Sequence, residues 1–388
     1  MIEGKNTIAI LSAGNRGGGS ETVLRGLLPF LVRDNPNYLY HLFIAKSRQP
    51  LYELKADNLV VHTVDDEILD KPIKRLVYEN LTIFRELKKL NPSVCLFTSE
   101  VFTPLLALLK IPVVNVYHAA MQFYMRPGLD ESRLKLWYTK LMRDISIRIA
   151  KRTIAVSHFE RAEIGGRYPK YMMEKITVIY HGLDHEYFRE PILETEREPS
   201  PFSFPYILCV GDRHRHKRIE EMLRIYSILI HEFETKEHLV IIGRPKSHLV
   251  ENNIASIIEE ESLQERVHII DYIDNKQIRT YYWNASVYWT HTSCESFGLT
   301  PLEAMACGVP VFCAWESALP EIYGDVAIFY DPYFSTHKEI AIILKGLIED
   351  AALREVYINR GLNHVKKFSW KNSAEKYQKV LEMEMRSK

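Results

Sequence analysis

The chain has 388 residues, room for two or three domains, and its 46% apolar content is ordinary for a globular protein with sizeable cores. Lys+Arg 50 balances Asp+Glu 50, so the basic surplus that a dedicated nucleic-acid binder needs for phosphate backbones is missing. The five cysteines, Cys95, Cys209, Cys294, Cys307 and Cys313, form no Cys-x-x-Cys and sit among apolar residues, which reads as buried free thiols in a reducing compartment.

Short apolar strands alternate with longer amphipathic stretches. Thr7–Leu11 is the first strand, followed by a glycine loop and a helix from about Glu21. Tyr38–Ala45, Leu59–Thr63, Val94–Phe97, Val113–Val116, Ile154–Val156 and Ile176–Ile179 repeat the pattern. Arg189 to Pro205, rich in proline and charge, reads as a linker. The rhythm restarts at Tyr206–Val210 and runs through Leu239–Ile242, Val267–Ile270, Val287–Trp289, Val309–Cys313 and Ala327–Tyr330. Such alternation predicts an α/β protein with two doubly wound, Rossmann-like domains, whose ligands sit at the carboxyl ends of the strands. No charged n-region followed by an apolar h-region opens the sequence, so a signal peptide is not expected, and no apolar run approaches about 18 residues; a soluble, cytoplasmic protein is expected, or one held peripherally on a membrane.

Gly14-Asn-Arg-Gly17-Gly18-Gly19-Ser20 follows the first strand. It fits neither the dinucleotide fingerprint nor the Walker A pattern, which needs Lys where Ser20 stands. A loop whose backbone approaches a ligand closely remains, with Ser20 as N-cap, and a plain structural turn fits equally well. Gly211-Asp212-Arg213-His214-Arg215-His216-Lys217-Arg218 follows the strand Tyr206–Val210. It reads either as a clamp for an anionic leaving group or as a solvated basic loop. His118 ends the strand Val113–Val116, where a ligand contact competes with an ordinary core histidine. Thr290 to Tyr330 carries the densest signal, with Glu295-Ser296-Phe297-Gly298-Leu299-Thr300-Pro301-Leu302-Glu303 between an apolar strand and a helix. Thr300 is the expected N-cap, Pro301 the first helical residue, and Glu303 the partner in a Thr-x-x-Glu capping box. Gly308 and Pro310 end the helix. A Gly turn feeding a helix N-terminus is suited to a phosphate or diphosphate.

Glu295 and Glu303, eight positions apart within Glu-Ser-Phe-Gly-Leu-Thr-Pro-Leu-Glu-Ala-Met-Ala-Cys-Gly-Val-Pro, resemble the nucleotide-sugar site of family 4 glycosyltransferases. Ile154-Ala-Val-Ser157, Ile176 to Asp184, Ile207-Leu-Cys-Val-Gly211 and Phe368-Ser-Trp370 resemble that family in order and spacing. The resemblance covers the C-terminal half almost throughout and the N-terminal half more thinly. It implies the GT-B fold, two Rossmann-like domains facing across a cleft. Residues 1–190 would form the acceptor-binding domain and 205–370 the donor-binding domain. A last helix, about 371–388, would cross back to the first. Retaining transfer of a hexose from a nucleoside diphosphate sugar to a glycan or lipid-linked glycan is implied, without an enzymic nucleophile.

The same resemblance implies roles. Lys217 and Arg213 would clamp the diphosphate, although Asp212 stands where the family commonly has Arg. Glu295 would contact the transferred sugar, His118 would contact it near the 6-hydroxyl, and Glu303 would hold the ribose hydroxyls. Gly17 and Gly18, with Ser296, Phe297, Gly298, Leu299 and Thr300, complete the donor site. No Asp-x-Asp occurs, so neither metal nor cofactor is expected. GDP-mannose is favoured weakly as donor, because the Gly-Asp-Arg form of the clamp resembles some mannosyltransferases. The basic amphipathic stretch Arg133 to Arg152 packs on a sheet in one reading and touches an anionic membrane in the other. A nucleotide-sugar epimerase and a non-catalytic subunit of the same fold are the competing functions.

Overall fold

The computed structural model describes residues 6–13, 19–52, 54, 56–118, 133–274 and 276–386. The chain divides into two compact units, Met1–Gly182 with Phe368–Lys388, and Leu183–Lys367. The first unit carries β1 (Asn6–Leu11), β2 (Tyr38–Ala45), β3 (Leu59–Val64), β4 (Val94–Phe97), β5 (Val113–Tyr117), β6 (Arg152–Ala155) and β7 (Ile176–Val178). Its strands pair in parallel in the order β3-β2-β1-β4-β5-β6-β7. The central strands are apolar on both faces, as a sheet covered by helices on each side requires: β4 is buried at all four residues. Helix α1 runs Gly19–Asp34, so its first residue precedes Ser20, the expected N-cap. Gly17 and Gly18 lie outside the described residues. Helix α2 (Arg133–Ile149) covers most of the basic amphipathic stretch, whose last residue Arg152 begins β6, and exposes Trp137, Tyr138 and Leu141. Among the described residues no helix is long and apolar enough to cross a membrane.

The second unit carries β8 (Tyr206–Val210), β9 (His238–Ile242), β10 (Val267–Ile270), β11 (Val287–Thr290), β12 (Val311–Ala314) and β13 (Ile328–Tyr330), all parallel, in the order β10-β9-β8-β11-β12-β13. The order reverses between β8 and β11, so the loops after these two strands flank the point where doubly wound sheets bind ligands. Ile207, Leu239, Ile241, Val287 and Trp289 from the sheet pack with Met222, Leu223 and Tyr226 of α3 (Ile219–His231). The segment 189–205, expected as a linker, packs on this unit. The Arg189 carbonyl accepts from Trp283 Nε1 at 2.7 Å, Thr280 donates to Glu198, and Phe204 stacks on His238 with centroids 3.8 Å apart. Its prolines and charges hid three contacts that depend on residues far along the chain.

The remaining helices that position the site are α4 (His248–Glu260), α5 (Ile278–Trp283), α6 (Leu299–Ala306), α7 (Leu319–Tyr323) and, returning to the first unit, α8 (Trp370–Arg386). Helix α8 anchors on that unit through Tyr40 Oη donating to Gln378 at 2.9 Å and an Arg152–Glu384 ion pair at 2.8 Å. Gly26 of α1 lies so close that a Cβ there would stand 2.2 Å from the Trp370 ring.

Candidate functional site

In the second unit the loop after β8 and the loop after β11 meet. The carbonyl of His216 accepts from the Ser293 backbone N–H at 2.7 Å and from the hydroxyls of Ser293 and Thr292 at 3.2 and 3.3 Å. That stitching brings Lys217 Nζ onto Glu295 Oε1 as a close ion pair. The two side chains remain 16% and 21% exposed, so the pair is open to an incoming group. Burial alone would lower the Lys217 pKa, but the charge and hydrogen bond of Glu295 hold it above its ordinary value, so the ammonium stays charged. A cation fixed beside the switch point of the sheet, with a carboxylate as exchangeable partner, can bind an anionic group and a polar one together.

Arg213 does not join this pair. Its side chain is 2% exposed and turns away, giving forked bonds to Glu251 of α4 at 2.8 to 3.0 Å and a bond to Asp271 at 2.8 Å. It also donates to the Gly243 carbonyl. The expected clamp role is therefore corrected. Arg213 ties the ends of β8, β9 and β10 together and supports the loop that carries Lys217. Two carboxylates satisfy its buried fork, and a guanidinium buried without them would be costly. Gly211 and Gly243 let these strand ends approach: a Cβ on Gly243 would stand 2.0 Å from the Gly211 carbonyl oxygen.

The expected capping box at Thr300 and Glu303 is also corrected. Helix α6 starts at Leu299 with Gly298 as N-cap in the left-handed region (φ 86°), and no side chain caps it. A Cβ on Gly298 would crowd Leu319 of α7 at 2.9 Å. Thr300 Oγ1 accepts instead from Tyr288 Oη at 2.7 Å, and Glu303 Oε2 accepts from Tyr282 Oη of α5 at 2.9 Å. Two tyrosines contributed by other elements took both partners from the local box. Burial raises the Glu303 carboxyl to about 7, the neighbouring Asp184 adds to that, and the Tyr282 bond opposes it. Ser296 and Phe297 are buried in the turn, whereas Leu299 and Thr300 are part-exposed in the first helical turn.

His118 lies in the first unit, just after β5. Its ring stacks on His181 at 5.6 Å, and His181 meets Trp370 at 5.8 Å. Desolvation lowers its pKa to about 4, so it is neutral at pH 7. It can exchange a hydrogen bond with a hydroxyl, but it cannot serve as a cation there.

Ser317 lies 14 residues beyond Glu303, and local sequence gives no signal for a role there. Its backbone is left-handed (φ 50°), where glycine is the default residue. Its Oγ accepts from the Glu295 backbone N–H at 2.7 Å, and the Ala318 N–H donates to the Glu295 carbonyl at 3.2 Å. A strained serine thus holds the turn that aims Glu295. Ser317→Ala is expected to lower kcat about fivefold, near the worth of one hydrogen bond of about 1 kcal/mol. Ser317→Gly should lose the same activity but melt higher than Ser317→Ala, since both lack the hydroxyl and only glycine relieves the backbone strain. Wild-type kcat in both would show that the hydroxyl does not aim Glu295.

Comparisons with known proteins bear on both units. A family profile described as "Glycosyltransferase Family 4" matches residues 17–187, and one described as "Glycosyl transferases group 1" matches residues 194–364. The chain is 28% identical over 230 residues to an O-antigen chain mannosyltransferase B of Escherichia coli, covering 58% of this chain and 59% of that protein. It is 23% identical over 315 residues to the O-antigen chain mannosyltransferase RfbU of Salmonella typhimurium, covering 81% and 80%. The match thus spans less than two thirds of the first of these relatives and more of the second. The sucrose-phosphate synthase structure from Thermosynechococcus elongatus superposes with a TM-score of 0.76 at 17% identity, covering 99% of this chain and 100% of that one.

Proposed function

Because the chain belongs to the family 4 glycosyltransferases of the GT-B fold, we propose that it transfers a hexosyl group from a nucleoside diphosphate sugar to a glycan hydroxyl, with GDP-mannose the favoured donor. The observation that carries this reading is the meeting of Lys217 and Glu295 at the switch point between β8 and β11. The mannosyltransferases among its relatives support the choice of sugar. As the bond between C1 and the phosphate oxygen breaks, negative charge grows on the leaving diphosphate. Lys217 is a charged donor already in place, so little reorganisation is needed as that charge develops. The uncapped start of α6 adds a dipole of the right sign. Glu295 exchanges Lys217 for the hydroxyls of the sugar, and Glu303 accepts from the ribose hydroxyls. The acceptor oxygen bonds to C1 from the side that the diphosphate leaves, and its proton passes to the leaving phosphate, which retains the anomeric configuration. Exposed Trp137, Tyr138 and Leu141 on α2, with Lys140, support peripheral contact with a membrane bearing a lipid-linked acceptor.

A thermal-shift series with GDP, UDP and ADP, followed by release of GDP from GDP-mannose, tests the donor. A ligand at about 100 times its Kd adds about 2.7 kcal/mol of stability. No shift with any nucleoside diphosphate would refute the reading. Metal independence is a further expected result: Lys217 supplies the positive charge that a metal supplies in enzymes carrying Asp-x-Asp. Turnover should survive excess EDTA. Complete loss, restored by Mn²⁺ or Mg²⁺, would show that Lys217 does not suffice.

A further inference from the structure

The carboxyl edge of the second sheet continues past the Lys217–Glu295 pair to β12 and β13, where three large aromatics face solvent. Trp315 directly follows β12 and is 58% exposed, while Tyr333 and Phe334 follow β13 and are 68% and 90% exposed. They are held in place. Trp315 N–H donates to the Tyr330 carbonyl at 2.8 Å, and its ring packs edge-on against Phe329 at 5.0 Å. Asp331 Oδ1 accepts from the backbone N–H groups of Tyr333 and Phe334 at 2.8 and 3.1 Å, which fixes the turn that presents both rings. Exposed aromatics on a braced turn are a poor choice for solubility and a good one for binding.

The cluster is continuous with the site. Arg218, adjacent to Lys217, donates to Tyr333 Oη at 2.6 Å and lies over its ring at 5.0 Å. Arg218 also pairs with Glu316 at 3.4 Å, and Glu316 adjoins Ser317, which holds Glu295. Arg218 adopts a left-handed backbone (φ 49°), as Ser317 does, so strain is stored on both sides of this link.

We propose that Trp315, Tyr333 and Phe334 form a platform that stacks on a pyranose ring of the acceptor glycan. A pyranose offers hydroxyls at its rim and C–H groups on its faces, and an aromatic ring matches such a face. Glu295, which meets the transferred hexosyl group in the proposed reaction, follows β11, and β13 lies two strands further along the edge, about 10 Å at about 4.8 Å per strand. That exceeds the width of the single hexosyl group held at Glu295. The sugar that reaches Phe334 therefore belongs to a chain. The proposal rests on the glycosyltransferase reading for the identity of the chain, and direct binding tests it independently of turnover.

The measurement is calorimetric and fluorescence titration of the full-length protein with α-linked mannotriose and, separately, with GDP. Mannotriose should bind the wild type. Trp315→Ala and Phe334→Ala should each weaken it about tenfold, a change of about 1.4 kcal/mol. Trp315→Phe and Phe334→Tyr should largely restore binding, and GDP affinity should be unchanged throughout. Four outcomes would overturn the platform: unchanged mannotriose binding in both alanine variants; no rescue by the aromatic replacements; a loss of GDP affinity in their place; or failure of mannotriose, maltotriose and α-linked galactobiose alike to bind a wild type that binds GDP. In the last case the donor reading would stand without the platform.

Discussion

Lys217→Ala is expected to lower kcat about 100-fold or more, the usual effect of removing one preorganised donor from the site of developing charge. The residue lies in a short turn, Arg215–Lys217, that is held by backbone bonds of its neighbours, so the fold should persist. Glu295 would lose its partner but is one-fifth exposed, and water can replace the ammonium. The same variant in a Glu295→Gln background separates two roles. If Lys217 served only to hold Glu295, its removal would cost nothing further once Glu295 is neutral. If Lys217 meets the leaving diphosphate, the second loss adds to the first. Near-normal kcat in Lys217→Ala alone would reduce Lys217 to a partner of Glu295.

The second large effect separates the two glutamates. Glu295→Gln is expected to leave GDP affinity intact and to cut turnover of the full sugar donor about tenfold or more, because its predicted contact is with the sugar and is made by a charged acceptor. Glu303→Gln should weaken GDP instead, and the pH dependence identifies it. The Glu303 carboxyl, raised to about 7 by burial, holds its proton below that pH, where one oxygen donates, and is a purely accepting carboxylate above it. Wild-type GDP affinity should therefore tighten as pH rises through 7, and the difference between wild type and Glu303→Gln should follow the same curve. Stability runs the other way. A folded pKa above the ordinary 4.5 contributes stability that is full below about 4.5 and is lost as pH rises through 7. The neutral Gln can still accept from Tyr282, so Glu303→Gln should match or exceed wild-type melting temperature at pH 8. Calorimetric Kd values from pH 5.5 to 8.5 and melting curves at both ends check this. A pH-independent difference in GDP affinity would show that Glu303 does not meet the ribose.

The strands were legible because each is a short apolar run bounded by polar or Gly residues, and burial on both faces demands that pattern wherever the strand falls in the sheet. The parallel α/β class followed from their alternation with helices, and the family from the wording around Glu295 and Glu303. Local rules failed wherever a distant residue competed for the same atoms. A Thr-x-x-Glu spacing specifies a capping box only when nothing else reaches the side chains, and Tyr288 and Tyr282 do. A basic loop specifies positive charge but not its direction. Arg213 turns inward because Glu251 and Asp271, 38 and 58 residues away, meet it behind the loop. Lys217 finds Glu295, 78 residues on, only because strand order places β8 beside β11. The sequence by itself determined which elements form and which side chains carry the charge. The tertiary structure decided which charges are spent on the fold and which stay at the carboxyl edge, because pairing between distant residues depends on sheet order and not on local spacing.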